Sequence, residues 1–547
     1  MSPRLSSLCE GWKSDGENLA QKLRQIVELD NPELQIDLLS RSIRPYIQVV
    51  ETDALCKYTG LRLNNIWRYF RHTWVTSYKS VPGRSMMILI RDAAAPNHPV
   101  IGIASLASSV VQQQKRDDWI GWDGDTVVEK FTAVAKPKQH ARWLISELDQ
   151  FIKGLYVRDL LNDGIVSRAE IRRPNDEVVE RLLEVSEKAI KRHRLYPDSA
   201  RHKQVDHRGN IEWAELAETS LFRSKRAKQL ATLLAIRKLF QKVDLAENIS
   251  PARWQELFKS AGFRQGVRQI TRMVKAERVG IAMMDISICG AIAHYNTLIG
   301  GKLVALLLCS PEIVKEYEAR YGSQLSLIAS CMRGASVQRN AQLVLLCTTS
   351  LYGSSLNQYS RIKLPAGMIG GTAMSIEYRE LGVSDGYGTF HFSKDSLRLM
   401  STLLGRAKES RKVNSIFGEG VNPLMRKIRD GLGLLGLPQD ELMKHGSKRI
   451  VYGVALASNF REFLLGMSDT PKYLITPTRV RQKTELIADF WRQRWLLNRL
   501  KKPGVLDEVG RHTCIYPIRH GAQVEVPEVE DPLLNLWEMP RILSKGA

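Results

Sequence analysis

GAIAHYNTLIGGKLVALLLCS, residues 290–310, follows a strand-like run, RVGIAMMDISIC at 278–289, and leads into an apolar helix-like run. That succession is how a phosphate-cradling turn is built. Gly300 and Gly301 allow close backbone approach, and a helix start turns unpaired N–H groups and the positive end of its dipole toward an anion. Asn296, Gly300, Gly301 and Lys302 are therefore candidate anion- or cofactor-loop residues. The stretch lacks the GxxxxGK[ST] spacing, with Leu303 in the Ser/Thr slot, and it lacks GxGxxG; neither a P-loop nor a Rossmann reading is supported. The competing reading is mechanical: two glycines let a helix pack tightly on a sheet.

Outward from this stretch, MMILIRD (86–92), the turn-like AAAPNHP and VIGIASLASS (100–109) read as a hairpin. Further strands are expected at 324–332, 342–350 and 374–383, with the stretch after 109 continuing the sheet region through RDDWIGWDGD. Between the two strand-rich segments, the periods of ARWLISELDQFIKGLYVRDLL and FRSKRAKQLATLLAIRKLFQKV are helical, so 139–277 reads as a large helical insertion. The pattern divides the chain into a helical region at 1–80, sheet core at 81–138 and 278–400, and a mainly helical, basic region at 401–547 ending in an acidic extended tail. In the first region, Asn31 suits an N-cap with Pro32 at the first helical position. The fold class expected is α+β with a mixed sheet.

Charge is concentrated. The 547 residues carry a formal net charge of +22. Residues 191–280 hold 20 Lys and Arg against 9 Asp and Glu, and 401–500 hold 18 against 9. A localised basic excess concentrates polyanions, and counterion release then drives nucleic-acid binding. DNA is the expected partner, although charge alone does not separate it from RNA. A basic face that docks acidic partner subunits is the alternative. Seven cysteines are scattered with no CxxC pair, which excludes a zinc ribbon and suits a reducing cytoplasm. No apolar run approaches the roughly 20 residues of a membrane span, and no secretory h-region is expected.

Four groups of residues are candidates for contact or chemistry. Arg223, Lys225, Arg226 and Lys228 crowd one helix end. In FGEGVNPLMRKIRDGLGLLGL (417–437), Asn422 and Pro423 would start a helix that presents Arg426, Lys427 and Arg429. Lys448 and Arg449 in HGSKRI, and Arg492 and Arg494 in WRQRWLLNRLKK, repeat the basic theme. Asp117, Asp118, Asp123, Asp125 and Glu129 could hold Mg²⁺ for metal-assisted phosphodiester cleavage, with Asp285 or Glu377 completing the set. Against that, neighbouring aspartates on a strand face opposite ways, and DGD is an ordinary turn sequence. NNIWRYFRHTW (64–74) mixes aromatics with Arg68, Arg71 and His72; it suits base stacking, or else an inward aromatic stripe. His193, His202 and His207 sit irregularly among cations and read as a basic loop. There is no GxSxG or HExxH, so no reaction is named.

Strand, glycine loop, helix, strand and a Tyr-bearing segment (NQYSRIK, IEYRELGV) together resemble the core of the GCN5-related acetyltransferases. That resemblance implies a coenzyme A cradle at Asn296 to Gly301. Ile299 in the first glycine slot and Asn296 at the basic or amide position depart from the family loop, which argues against acetyl-CoA. Over 60–400 and beyond, LNNIWRYFRHTW, VPGRSMMILIRDA, HPVIGIASLASS, RDDWIGW, AHYNTLIGGKLVALL, SLNQYSRIKLP, EYRELGVSDGYGTFHF and HGSKRIVYGVALASN are similar to the DruA family of the Druantia anti-phage defence system. Membership implies a cytoplasmic bacterial defence component that works beside a helicase-like partner and other Druantia subunits. Four functions follow as expectations: a nucleic-acid-binding defence component, a metal-dependent nuclease, an acyl-CoA-binding protein and a scaffold.

Overall fold

The computed structural model describes all residues except 1–2, 75–82, 197–211, 294, 351–357, 385, 390, 408–422, 511–517, 520–522 and 525–547. The fold is α+β around a mixed seven-stranded sheet. The described strands are β1 (Pro45–Val49), β2 (Ser85–Asp92), β3 (Val100–Ser108), β4 (Met283–Ala291), β5 (Leu345–Thr349), β6 (Lys363–Pro365), β7 (Ser375–Glu377), β8 (Arg379–Val383), β9 (Ile450–Ala455), β10 (Ile518–Arg519) and β11 (Gln523–Val524), the last two forming an antiparallel pair of their own. Their order in the main sheet is β1-β2-β3-β4-β5-β9-β8, while β6 and β7 form a separate pair. β4 and β5 run parallel, with Met283 opposite Leu345; β1–β2, β5–β9 and β8–β9 are antiparallel.

Two compact units divide the chain. The first comprises 1–106, 287–308 and 484–547. Its Pro32–Ser42 helix starts as expected: the Asn31 side chain accepts from the N–H groups of Glu33 and Leu34, with Pro32 at the first turn. The Leu63–His72 helix buries Leu63, Ile66, Trp67 and Phe70, and the Trp67 indole donates to Ala104 O at 3.0 Å. Its aromatics therefore serve the core rather than stacking on bases. Gly102 in β3 explains how the apolar run Leu303–Leu308, fully buried, lies against the strands. A Cβ there would stand 2.7 Å from Val304 Cγ2 and 3.2 Å from Gly290 O, so only glycine lets the helix seat. Helix-on-sheet burial of a run like this is the kind of apolar contact that dominates folding free energy.

The second unit comprises 107–286 and 309–483. The described residues between Gln114 and Arg278 form helices only. The core of that block gathers Leu144, Leu182, Leu230, Leu234, Trp254, Phe263 and Ile270, with the Trp254 indole donating to Phe131 O at 2.7 Å.

Four expectations need correction. Residues 327–333 form a helix, not a strand: Leu325 bridges Gln338 and the chain then turns. The 114–120 segment bearing Asp117 and Asp118 is also helical, closed by Gly121 in the left-handed conformation. The N-terminal 80 residues are not all helix, because β1 interrupts them. Nor is 413–500 all helix: β9, from IVYGVA, is an interior strand flanked by β5 and β8. Buried on both sides, β9 lacks the alternation that marks a half-exposed strand. Among the described residues no single helix is long and apolar enough to cross a membrane.

Candidate nucleic-acid interface

Several of the cations in the helical block are already held by protein groups. Arg226 on the Ser220–Lys242 helix is fully buried, in contrast to the surface role expected of it. Its guanidinium grips both carboxylate oxygens of Asp159 at 2.8 Å and donates to the carbonyls of Ala217 and Tyr156. Arg223 pairs with Asp163 and Asp159, Arg237 with Asp149, and Lys238 with Asp176. The Lys225 ammonium lies 5.7 Å from the Phe222 ring, and only Lys228 of the predicted four is classed as exposed. The helix amphipathicity demanded this outcome: an 11-residue buried set on one helix puts some basic positions on the inward face. His193 is buried as well, while His202 and His207 fall outside the described residues.

A different part of the second unit keeps its charge in water. The Lys394–Arg406, Pro423–Leu434 and Gln439–Leu442 helices form a thin layer on a small core of Ile428, Leu432 and Met443 with Phe392, Leu397 and Met400. The described residues of 391–449 carry nine Lys or Arg against four Asp or Glu. Lys394, Arg398, Arg406, Arg429, Lys444 and Lys448 are exposed; Arg426, Lys427 and Arg449 are half-buried. Ion pairs here are long and solvated: Arg398–Asp395 at 3.6 Å and Arg429–Asp440 at 3.7 Å. Pairs of that kind hold their cations weakly. His391 and His445 add rings 5.7 Å apart beside the cations. Ser384 N donates to Arg449 O at 2.8 Å, and Arg449 N donates in turn to Ser384 Oγ at 3.1 Å, which ties down the end of the HGSKRI segment. Gly418, Gly420 and Asn422 lie outside the described residues. The predicted Arg426, Lys427, Arg429, Lys448 and Arg449 thus come together in one layer. Lys394, Arg398 and Lys444 form no basic cluster in the sequence, since each lacks a Lys or Arg neighbour.

The first unit holds Arg492 and Arg494. Arg492 is wholly buried, bonded to Ile43 O at 2.7 and 3.1 Å and paired with Asp489 and Glu485, which corrects its assignment to a surface. It lies in a π-helical segment, Arg492–Leu496, where an extra residue per turn swings its side chain inward. Arg494 is exposed, 5.4 Å from the Trp495 ring, with Lys501 and Lys502 exposed beyond it.

The glycine turn that opens the sequence reading is filled from inside the protein. One helical turn begins at Asn296, whose side chain accepts from Thr297 N; Gly300 then breaks the helix at φ 62°, ψ 168° before it resumes to Leu308. A Cβ on Gly300 would stand 2.3 Å from Arg499 Nη1, and that same Nη1 donates to Asn296 O at 3.4 Å. A guanidinium rather than an anion faces the turn. Lys302 and Gly301 beside it are half-buried. Gly300→Ala should cost about 1–3 kcal/mol, because the backbone region it occupies is essentially closed to residues with a Cβ. Chemical denaturation monitored in the first unit measures it, and an unchanged midpoint would refute the strain.

The aspartates after residue 116 are structural in the same sense. Asp117 is buried, accepts from Arg116 Nη2 at 2.7 Å and from Lys275 Nζ at 2.6 Å, and also receives Gln113 N. Asp118 bonds Thr126, and burial raises its pKa above the ordinary carboxylate value. Asp123 caps the Gly124–Thr132 helix through Asp125 N, Asp125 pairs with Arg268, and Glu129 faces solvent. Asp285 is buried on β4, accepting from Ser109 Oγ at 2.7 Å and Val110 N at 3.1 Å; burial raises its pKa. Among the described residues no three His, Cys, Asp or Glu side chains converge on a metal position.

Comparison with known proteins completes the picture. A family model described as Druantia protein DruA matches residues 13–139 and 269–466. The stretch it passes over, 140–268, is almost the whole of the helical block. The Druantia protein DruA of Escherichia coli (strain UMEA 4076-1) is 31% identical over 185 residues, which is 34% of this chain. The alignment spans 42% of that relative's length. No solved structure matches. With more than half of its residues matched by the family model, the chain belongs to the DruA family.

Proposed function

We propose that this chain is a component of a Druantia-type anti-phage defence system that engages nucleic acid, DNA before RNA, acting in the cytoplasm with a helicase-like partner and other subunits. Family membership supports the defence role. The nucleic-acid reading rests on one observation: Lys394, Arg398, Arg406, Arg429, Lys444 and Lys448 of the 394–449 layer stand exposed with at most long, solvated ion pairs, whereas Arg223, Arg226, Arg237 and Lys238 of the helical block are held by close internal carboxylates. Contacts from such a layer are to phosphates and carry no sequence preference.

Fluorescence anisotropy with labelled duplex DNA, single-stranded DNA and RNA tests it. Binding at 50 mM salt should weaken on the order of 10³-fold at 200 mM, as expected for about six phosphate contacts. Lys444→Glu with Lys448→Glu should lower affinity at least about tenfold, while Lys228→Glu should leave it unchanged. Absence of any complex at 50 mM salt, with the variants folded, would remove the proposal and favour the scaffold reading. The succession of β4, the Gly300 turn, an apolar helix and β5 supports an acetyltransferase-like core as a reading of architecture. Arg499 against that turn argues for packing over an acyl-CoA cradle.

A further inference from the structure

One cysteine of the first unit is set apart from the others by a buried cation with no carboxylate partner. Arg91 on β2 is 0% exposed. Its Nη1 donates to Cys56 Sγ at 3.2 Å, and among the described residues its Nε and Nη2 have no hydrogen-bond partner and no carboxylate forms an ion pair with it. An isolated guanidinium in the interior costs several kcal/mol unless a negative charge accompanies it. The nearest groups on the other elements are aromatic or cationic. Tyr46 sits opposite Arg91 on β1, the Arg91 guanidinium lies 5.7 Å from the Tyr58 ring, and His98 stacks on Tyr58 at 4.0 Å while bonding Tyr46 Oη at 3.1 Å. His98 is held in the left-handed region at φ 44°, and Lys57 adds another cation. The sulfur is the one atom of this group that readily supplies a negative charge.

The turn that carries Cys56 reinforces this. Cys56 N donates to Leu61 O at 2.7 Å and Gly60 N to Cys56 O at 2.8 Å, closing a tight turn through Gly60 at φ 67°. Burial pushes the Cys56 thiol up, yet the Thr59 hydroxyl and the Arg91 guanidinium outweigh it and leave the pKa below the ordinary value. On Cys309 and Cys331 burial outweighs the lowering effects of the Tyr378 hydroxyl and the Lys225 ammonium, pushing the thiols up to about 12 and about 11, and it also raises Cys347. Cys56 is itself covered, but Leu55, Lys57 and Gly60 around it are exposed, so a small reagent needs only that one turn to open.

We propose that Cys56 is a thiolate with Arg91 as its counter-ion, and that it is the site at which small hydroperoxides oxidise this chain. The thiolate sulfur attacks one peroxide oxygen, and an S–O bond forms as the O–O bond breaks. Hydroxide leaves and takes the proton of the new sulfenic acid as water. Sulfur loses two electrons and the peroxide gains them. The sulfenate oxygen provides an acceptor beside the guanidinium donors that lack one, so the environment stabilises product as well as reactant.

The test is per-cysteine mass spectrometry on the reduced full-length chain. Hydrogen peroxide with a sulfenic-acid-trapping probe at pH 7 should label Cys56 about tenfold or more faster than Cys309, Cys331 and Cys347. Separately, the iodoacetamide alkylation rate of Cys56 should inflect below the free-thiol value of about 8.5. Arg91→Met should slow Cys56 labelling about tenfold, and Arg91→Lys should restore part of it. The alkylation profile needs no variant and decides the matter even if Arg91→Met fails to fold. Labelling of Cys56 no faster than of the three buried cysteines, or an inflection at or above about 8.5, overturns the proposal.

Discussion

Arg226→Leu should remove about 3–5 kcal/mol of stability from the helical block, the usual consequence of leaving one member of a buried ion pair behind. Asp159 would lose both hydrogen bonds to the guanidinium, keeping only Arg223 at 3.6 Å, and the carbonyls of Ala217 and Tyr156 would lose their donor. Leucine fills much of the arginine stem's volume, so the loss measured is chiefly electrostatic rather than a cavity. Native-state hydrogen exchange of the Ser220–Lys242 amides measures it directly. Lys228→Ala on the same helix should change protection by no more than about 0.5 kcal/mol. Nucleic-acid affinity of a folded Arg226 variant should be that of the parent. Unaltered exchange in Arg226→Leu, or a selective loss of nucleic-acid binding without destabilisation, would return this residue to the surface role its neighbours in sequence suggest.

The difference between Arg226 and Lys444 shows where sequence reading reaches its limit. Both lie in basic regions, and net charge counts them equally. What separates them is that Arg226 sits on the buried side of its helix across from an acid, whereas Lys444 sits exposed in a bridge to Tyr387, and Asp159 is 67 residues away from Arg226 in the chain. Long-range pairing leaves no local signature. The Asn31 cap, the 86–92/100–108 hairpin and the inward stripe of Trp67 and Phe70 were legible because each is set by neighbours within one or two turns. β9 was not, since an interior strand of the IVYGVA type reads equally well as a buried helix segment. Residues 327–333 show the opposite case: the apolar run reads as a strand, yet Gly334 in the left-handed conformation ends a short helix there. At Gly300 the backbone takes a conformation that only glycine adopts readily, and the paired glycines mark that place in the sequence. The chemistry attached to it could not be read, because Arg499 reaches the turn from 199 residues downstream in sequence.

Asp117→Ala should destabilise the second unit by a comparable amount, about 3–5 kcal/mol, and the reason decides between two uses of the aspartates. In a divalent-cation site, crowded carboxylates repel one another when the ion is absent, so removing one relieves strain and stabilises the empty protein. Here Asp117 stands between cations. Its removal leaves Arg116, 0% exposed, with only the carbonyls of Val110 and Val111, and leaves Lys275 with no hydrogen-bonded partner at its ammonium. Burial already lowers the Lys275 pKa, opposed chiefly by Asp117; without that carboxylate the desolvation meets only the weaker attraction of Asp123. Asp123→Ala, which removes a helix cap, should cost only about 1 kcal/mol. Magnesium offers the independent arm: a resident ion at 100 times its dissociation constant would add about 2.7 kcal/mol of apparent stability. No such gain is expected in the parent chain, and a magnesium-dependent rise abolished by Asp117→Ala would reinstate the metal site.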